Sequence, residues 1–221
     1  MTRRYDVITF DCYGTLIDWD RGIADAFAAA VAAHGGNLEA GRALETYERI
    51  EPAVEAERYR SYREVLTESA RRVASDLGWA LPESSAGFLA ESLPFWLPFP
   101  DTNPALERLA RAGFRLGILS NVDDDLLAGT RRHFTVPFDL TVTAQQVRSY
   151  KPADGHFLAA RELIGGKRWL HAAQSHFHDV VPCRRLGIPV AWVNRKAQAA
   201  LEGQRADREL RTLTDLADWL A

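Results

Sequence analysis

Short apolar runs alternate with longer amphipathic stretches along most of the chain. Five runs end in polar or small residues, namely YDVITF to Phe10, FRLGILS to Ser120, DLTVTA to Ala144, WLHAAQ to Gln174 and PVAWVN to Asn194. Their apolar character is nearly continuous and shows little alternation, which is typical of strands that are covered on both faces. The pattern therefore predicts five buried strands of a parallel sheet.

Amphipathic segments with helix stop signals lie between these runs. In NPALERLARAG, Pro104 suits the first turn of a helix and Gly113 suits its end. Similar segments are DDDLLAGTRRHF, ADGHFLAARELIG with Gly165, DVVPCRRLG with Gly187, and the final LTDLADWL. Strands and helices in this alternation predict an α/β fold with a doubly wound parallel sheet and right-handed crossovers.

One long region interrupts the alternation. From about Trp19 to Pro94 the chain contains helical patterns, such as DRGIADAFAAAVAAHGG and SYREVLTESARRVASDLG, and no convincing strand. The region is too long to be a single crossover. We therefore predict a helical cap of residues 18–94, inserted after the first strand, and an α/β core of residues 1–17 and 95–221.

Composition and charge exclude several kinds of partner. The 27 basic and 30 acidic residues give a net charge of −3 and form no basic stripe, so we expect neither nucleic acid nor a membrane as a partner. The only cysteines, Cys12 and Cys183, lack the spacing of a disulfide framework or a zinc site. A signal peptide and a long apolar run are both missing from the sequence, which predicts a cytoplasmic location.

Polar residues follow four of the predicted strands. Asp11 follows the first, Ser120 and Asn121 close the second, Lys151 follows the third, and Asp179 lies just past the fourth. A carboxylate such as Asp11 can simply cap a turn. In an open α/β sheet, however, the carboxyl ends of the strands form the ligand crevice, so these side chains are expected to converge there.

These residues, in this order, resemble the motifs of the haloacid dehalogenase superfamily, whose members use an aspartate nucleophile. The matching motifs are DCYGT from Asp11 to Thr15, LSN ending at Asn121, KP at Lys151, and QSHFHD ending at Asp179. The resemblance covers nearly the whole chain. It implies a Rossmann-like core with the helical cap after the first motif, and Asp11 as the nucleophile.

Two positions depart from the phosphatases of that superfamily. Phosphatases carry a second Asp two positions after the nucleophile as a general acid, where this chain has Tyr13. A phenol, with an ordinary pKa of about 10, is a poor replacement for a carboxylic acid. Gln174 stands where phosphatases place one of their acidic Mg²⁺ ligands, so the site loses a charged ligand for a hard cation.

The 2-haloacid dehalogenases of the superfamily are similar at both positions, since their first motif is DxYGT and they use no metal. A halide leaves readily as an anion, so no acid is needed at position 13. The resemblance implies a small carboxylic acid as substrate, an ester intermediate and no cofactor or metal. It also implies that Thr15 orients Asp11, that Lys151 holds Asp11 ionised, and that Asp179 positions Lys151 or the hydrolytic water.

The same resemblance suggests residues that bind the substrate. Ser120, Asn121 and the backbone of the turn after Tyr13 would hold the substrate carboxylate. A basic residue of the cap would take the halide, with Arg42 and Arg49 as candidates, although each alone also fits a solvated helix face.

Other positions leave alternatives open. Trp19 lies near a hinge, where an aromatic side chain can line a water-free pocket or anchor the cap to the core. His176 stands where dehalogenases tend to have Asn and can be a base or a loop residue, whereas His178 is predicted to belong to the loop. The remaining histidines, at positions 34, 133, 156 and 171, are predicted to have packing or surface roles.

The acidic run from Asp123 to Asp125 could bind a metal, but acidic residues are also favoured at a helix start, which is the preferred interpretation. Two other functions stay open alongside dehalogenation: a phosphatase that uses a histidine as its acid, and a catalytically silent binding protein. The oligomeric state is also open, with a homodimer as one alternative.

Overall fold

The computed structural model describes residues 3–36 and 38–221. Its strands are β1 Val7–Phe10, β2 Arg115–Ser120, β3 Leu140–Thr143, β4 Trp169–Ala173, β5 Val190–Val193 and β6 Arg208–Leu210. Its α-helices are α1 Trp19–His34, α2 Ala40–Glu57, α3 Tyr62–Asp76, α4 Phe88–Ser92, α5 Thr102–Arg111, α6 Asp124–Thr130, α7 Ala144–Val147, α8 Gly155–Ile164, α9 Val181–Leu186 and α10 Leu213–Leu220.

The six strands form one parallel sheet in the order β3-β2-β1-β4-β5-β6. The α/β fold and the five predicted strands are confirmed. The sixth strand, β6, was missed because it is a short edge strand with two exposed charged residues, and its sequence has no apolar run. The strand order reverses between β1 and β4, and in doubly wound sheets the ligand crevice lies at that point.

The predicted helix ends are found where glycine was expected to end them. Gly165 ends α8 and Gly187 ends α9, both with positive φ, the left-handed conformation that glycine adopts without a steric penalty. These two helices pack on one face of the sheet. A cluster of buried apolar side chains joins them to the strands, including Phe157, Ile164 and Trp192. This packing holds the carboxyl ends of β1 and β4 in place.

The chain divides into two compact units. One contains the sheet and is made of residues 3–17, 98–121 and 132–221. The other is made of residues 18–36, 38–97 and 122–131, which contain helices and no strand. Residues 95–97 and 122–131 belong to this helical unit, although the sequence analysis placed them in the core. A role of the helical unit as a cap stays a prediction.

The acidic run at the start of α6 contacts α3, which helps to explain why residues 122–131 belong to the helical unit. Both carboxylate oxygens of Asp123 accept backbone N–H groups of α3, from Tyr62 and Arg63 at 2.9 Å each. Asp125 contacts the Arg63 guanidinium at 2.6 Å. Asp123 therefore satisfies the first turn of a neighbouring helix rather than its own, because the free N–H groups of α3 require acceptors.

Within residues 3–36 and 38–221, no helix is both long enough and apolar enough to cross a bilayer.

Candidate active site

Asp11 directly follows β1 and is mostly buried, with 8% of its surface exposed. Its backbone N–H donates to the carbonyl of Ala172 in β4 at 3.1 Å, which continues the sheet one residue past the strand. Its Oδ2 accepts a hydrogen bond from Thr15 Oγ1 at 2.8 Å, and its Oδ1 accepts one from Lys151 Nζ at 2.9 Å. The carboxylate is thus held at both oxygens.

A tight turn from Cys12 to Ile17 brings Thr15 back to Asp11. The carbonyl of Cys12 accepts the N–H groups of Leu16 and Ile17 at 2.7 and 3.0 Å, and Gly14 has a φ of 88°. A side chain at position 14 would be strained at this φ, so the turn depends on glycine. Thr15 Oγ1 accepts the N–H of Gln174 at 2.9 Å, so its own proton is available to Asp11.

Lys151 uses all three of its ammonium protons. Its Nζ donates to Asp11 Oδ1 at 2.9 Å, to Asp179 Oδ1 at 2.6 Å and to the carbonyl of Leu119 at 3.0 Å. Burial by itself lowers the pKa of Lys151, but the two carboxylates outweigh burial and hold the pKa above its ordinary value. Lys151 is therefore a permanent cation between two buried anions.

The loop after β2 fixes the backbone of Lys151. Asn121 Oδ1 accepts the N–H of Lys151 at 2.7 Å, and Asn121 Nδ2 donates to its carbonyl at 3.1 Å. The neighbouring hydroxyl, Ser120 Oγ, is fully buried and has no hydrogen-bond partner within residues 3–36 and 38–221. An unpaired buried hydroxyl is costly, so Ser120 has the capacity to bind a ligand that the site receives.

Asp179 lies in a π-helical turn, His176–Val180, which joins β4 to α9. It is fully buried, and its Oδ1 accepts both Lys151 Nζ and His171 Nε2, the latter at 3.0 Å. Its Oδ2 has no partner among the residues that the structure describes. Burial raises the pKa of Asp179, but Lys151 and His171 overcome this and hold it well below the ordinary value.

His171 was assigned a packing or surface role from the sequence, and the structure corrects this. It lies in β4 with no exposed surface, and its Nδ1 is 2.8 Å from Thr9 Oγ1. Thr9 Oγ1 also accepts Trp169 Nε1 at 2.7 Å. The signal in the sequence was a histidine inside an apolar strand, because a buried polar side chain requires a partner.

His156 also has a buried partner. Its Nε2 lies 3.0 Å from the carbonyl of Ser120, so this nitrogen carries the proton and donates. Burial, followed by the charge of Lys151, lowers the pKa of His156 to about 3. The ring is therefore neutral and supports the end of β2.

The two histidines of the π-helical turn differ. His176 is buried, lies edge-on to Trp192 with ring centroids 4.7 Å apart, and has no hydrogen-bond partner for either nitrogen among the described residues. His178 Nδ1 lies 3.0 Å from Ser175 Oγ, and burial lowers its pKa. His178 thus pairs within the loop, as expected from the sequence, whereas His176 has unused polar atoms.

Arg195, which follows β5, holds the turn from Cys12 to Ile17. It donates to the carbonyl of Thr15 from Nη2 at 2.9 Å and from Nε at 3.3 Å. It also forms two bonds with the carboxylate of Asp101, at 3.0 and 3.2 Å, and its guanidinium stacks on Phe99. The carbonyl of Thr15 is therefore held from the end of β5.

The remaining predicted residues form contacts of their own. Tyr13 forms an isolated bridge with Ile17 in the turn. Trp19 and Arg49 belong to the helical unit, where Trp19 packs on Tyr47 with ring centroids 5.6 Å apart and Arg49 pairs with Asp76 at 2.9 Å. Across the described residues, no group of three or more His, Cys, Asp and Glu side chains is placed to hold a metal ion.

Comparisons with known proteins identify relatives over almost the whole chain. The chain is 25% identical over 215 residues to an (S)-2-haloacid dehalogenase of Pseudomonas fluorescens, covering 96% of this chain and 94% of that protein. It is 26% identical over 220 residues to one of Pseudomonas putida, with 96% and 95% covered.

The fold is similar to that of the L-2-haloacid dehalogenase from Xanthobacter autotrophicus with chloropropionic acid covalently bound. The TM-score is 0.83, the identity is 21%, and 97% of each chain is covered. A family profile described as haloacid dehalogenase-like hydrolase matches residues 5–174. The chain therefore belongs to the family of haloacid dehalogenase-like hydrolases.

Proposed function

We propose that the protein removes halide from a 2-haloalkanoic acid by nucleophilic attack of Asp11 and needs no metal to do so. The observation that carries the proposal is the position of Lys151, whose Nζ lies 2.9 Å from Asp11 and 2.6 Å from Asp179. A protein cation thus serves both carboxylates, in a donor set where Tyr13 and Gln174 replace the acids of phosphatases. The curated dehalogenases that this chain resembles support the substrate class.

In the first step, a carboxylate oxygen of Asp11 attacks the carbon that bears the halogen. The new carbon–oxygen bond makes an ester, the carbon–halogen bond breaks, and its electron pair leaves with the halide. Lys151 Nζ, 2.9 Å from Oδ1, and the hydroxyl of Thr15, 2.8 Å from Oδ2, hold the Asp11 carboxylate in position. No general acid is required, because the halide departs as an anion.

In the second step, a water molecule attacks the ester carbonyl of Asp11. Asp179 Oδ2 lies next to Lys151 and has no hydrogen-bond partner in the described part of the chain, which supports a role in holding this water. One proton of the water reaches the departing alkoxide, and the other leaves to solvent when Asp11 ionises again. The products are a 2-hydroxy acid and the regenerated carboxylate.

The substrate carboxylate is proposed to bind at the end of β2. Ser120 Oγ is buried without a partner among the described residues and can donate to it, together with backbone N–H groups of the turn after Tyr13. Asn121 contributes by holding the backbone of Lys151. The two unpaired nitrogens of His176 support a further contact with substrate or water.

Trp19 and Arg49 are retained as proposed contributors from the helical unit, with Arg49 binding the halide. Arg49→Ala should raise the KM for 2-chloropropionate, whereas Arg42→Ala, the matched control, should leave KM within about twofold of wild type. Equal effects of the two variants would remove Arg49 from the proposal.

The decisive experiment measures halide release from chloroacetate and 2-chloropropionate, with and without a chelator. Wild-type protein should release halide in both conditions, and Asp11→Asn should lower turnover by a factor on the order of 10⁴ or more. Hydrolysis of a phosphate monoester that requires Mg²⁺, without halide release, would establish a phosphatase instead. Full function of Asp11→Asn in every assay would indicate a binding protein.

A further inference from the structure

We propose that His171 is a positioning residue for Asp179, and that Thr9 and Trp169 hold it in the tautomer which allows this. The inference rests on the proposed function, because it assigns the effect of His171 to the hydrolysis of the Asp11 ester. Thr9 lies in β1, and Trp169 and His171 lie in β4.

The proton positions follow from the hydrogen bonds. Trp169 Nε1 can only donate, and it donates to Thr9 Oγ1 at 2.7 Å. The hydroxyl proton of Thr9 is then free to point to His171 Nδ1 at 2.8 Å, which must accept it. A neutral ring with Nδ1 as acceptor carries its proton on Nε2, and Nε2 lies 3.0 Å from Asp179 Oδ1.

The alternative protonation state satisfies fewer groups. A doubly protonated His171 would donate from both nitrogens, so Thr9 Oγ1 would receive two donors. Its own proton would then have no acceptor among the hydrogen bonds of the described residues. We call Trp169, Thr9 and His171 the relay. In the neutral Nε2–H form of His171, every polar proton of the relay has an acceptor, as buried polar groups require.

This relay determines which oxygen of Asp179 is free. Two donors, Lys151 Nζ and His171 Nε2, converge on Oδ1. Without His171, the Asp179 carboxylate would keep its contact with the Lys151 ammonium. It could then rotate about this contact and share both of its oxygens with Lys151. His171 thus keeps Oδ2 as the unpaired acceptor, and Oδ2 is the atom proposed to hold the hydrolytic water.

The expected consequence is selective for the second chemical step. Ester formation needs Asp11, Thr15 and Lys151, whereas the hydrogen bonds of His171 given above join it to Thr9 and Asp179. Ester hydrolysis needs the orientation of Asp179. A variant that lacks the relay should therefore form the ester normally and hydrolyse it slowly, so that the first turnover appears as a burst of halide.

Thr9→Val is the main test because valine has nearly the shape of threonine and lacks the hydroxyl. Thr9→Ser, which keeps the hydroxyl, is its matched control. His171→Leu removes the donor, and His171→Gln keeps a nitrogen near the position of Nε2. Rapid-quench measurement of halide from 2-chloropropionate separates the first turnover from the steady state.

We expect Thr9→Val and His171→Leu to lower steady-state turnover by about 10- to 100-fold, the size that misplacement of a catalytic group produces. Their first-turnover halide burst should stay within about threefold of wild type, and Thr9→Ser and His171→Gln should restore hydrolysis. A proportional loss of both phases, or no loss in either, would overturn the proposal. Should His171→Leu fail to fold, Thr9→Val decides between these outcomes.

A second measurement does not depend on halide release. The ¹⁵N shifts of His171 at neutral pH should show a protonated Nε2 and an unprotonated Nδ1 in wild type, and Thr9→Val should change this pattern. A protonated Nδ1 in wild type would refute the relay, even if the enzyme dehalogenates. Absence of halide release with the expected tautomer would instead count against the proposed function and leave the relay in place.

Discussion

Gly22 of α1 lies directly against the indole of Trp96. A Cβ atom at position 22 would stand 2.4 Å from Trp96 Cδ2, closer than any real contact. The indole is buried and its Nε1 donates to Ser92 Oγ at 3.1 Å, so it cannot easily move away. The absence of a side chain at Gly22 is therefore a packing requirement of the helical unit.

Gly22→Ala should lower the free energy of unfolding by about 1–3 kcal/mol, the usual cost of overpacking. This is opposite in sign to the ordinary effect in a helix interior, where alanine is better than glycine by about 0.5–1 kcal/mol. Urea unfolding followed by tryptophan fluorescence and by circular dichroism measures the change.

Gly41→Ala is the matched control in α2. Its new Cβ would lie 3.6 Å from Glu39 Oε1, an ordinary contact at an exposed position. The control should be neutral or stabilising by up to about 1 kcal/mol. Stabilisation by both substitutions would show that Trp96 does not restrict Gly22.

Arg195→Lys should reduce the proposed dehalogenation by about tenfold or more through kcat, with little change in KM. Lysine cannot form the two hydrogen bonds to Asp101 together with the two to the Thr15 carbonyl. The turn from Cys12 to Ile17, which follows Asp11, is therefore held less well. Arg168→Lys is the control, since Arg168 forms a similar pair with Asp6 at the other end of the sheet. Comparable losses of kcat in both variants would contradict a specific role of Arg195.

Wild-type stability should fall as the pH is lowered from about 6.5 towards 3, because burial lowers the pKa of His156 from 6.5 to about 3. In that window the unfolded chain binds a proton that the folded chain does not, so this group's stabilisation is complete above 6.5. The slope contributed is at most about 1.4 kcal/mol per pH unit.

His156→Gln keeps a donor for the Ser120 carbonyl but does not titrate, so it should flatten the stability curve between pH 6.5 and 3. His34→Gln, at an exposed position, should leave the curve unchanged. Chemical unfolding at several pH values provides the comparison. An unaltered slope in His156→Gln would mean that another group causes the loss of stability between pH 6.5 and 3.

Much of the core was predictable because its signals are local. Apolar runs identified β1 to β5, and glycines identified the ends of α8 and α9. The edge strand β6 could not be found in this way, since its side chains contribute little to the core and it is defined by backbone pairing with β5. The order of the strands likewise depends on contacts between distant segments.

The residues of the candidate site also differ in how far the sequence predicts them. Asp11, Lys151 and Asp179 were found because each follows a predicted strand. His171 and Arg195 were not resolved because their roles depend on partners that sequence spacing does not reveal. Arg195 contacts a carbonyl 180 positions away, and the tautomer of His171 depends on Thr9, 162 positions away.

The Lys151 contacts also determine how charge changes during the proposed reaction. With His171 in the neutral form proposed above, two carboxylates and one ammonium give the resting cluster one net negative charge. Formation of the ester removes the charge of Asp11, which departs with the halide, and leaves Lys151 and Asp179 as a balanced pair. The covalent intermediate then carries only the negative charge of the substrate carboxylate, so the attack itself removes one negative charge from the buried site.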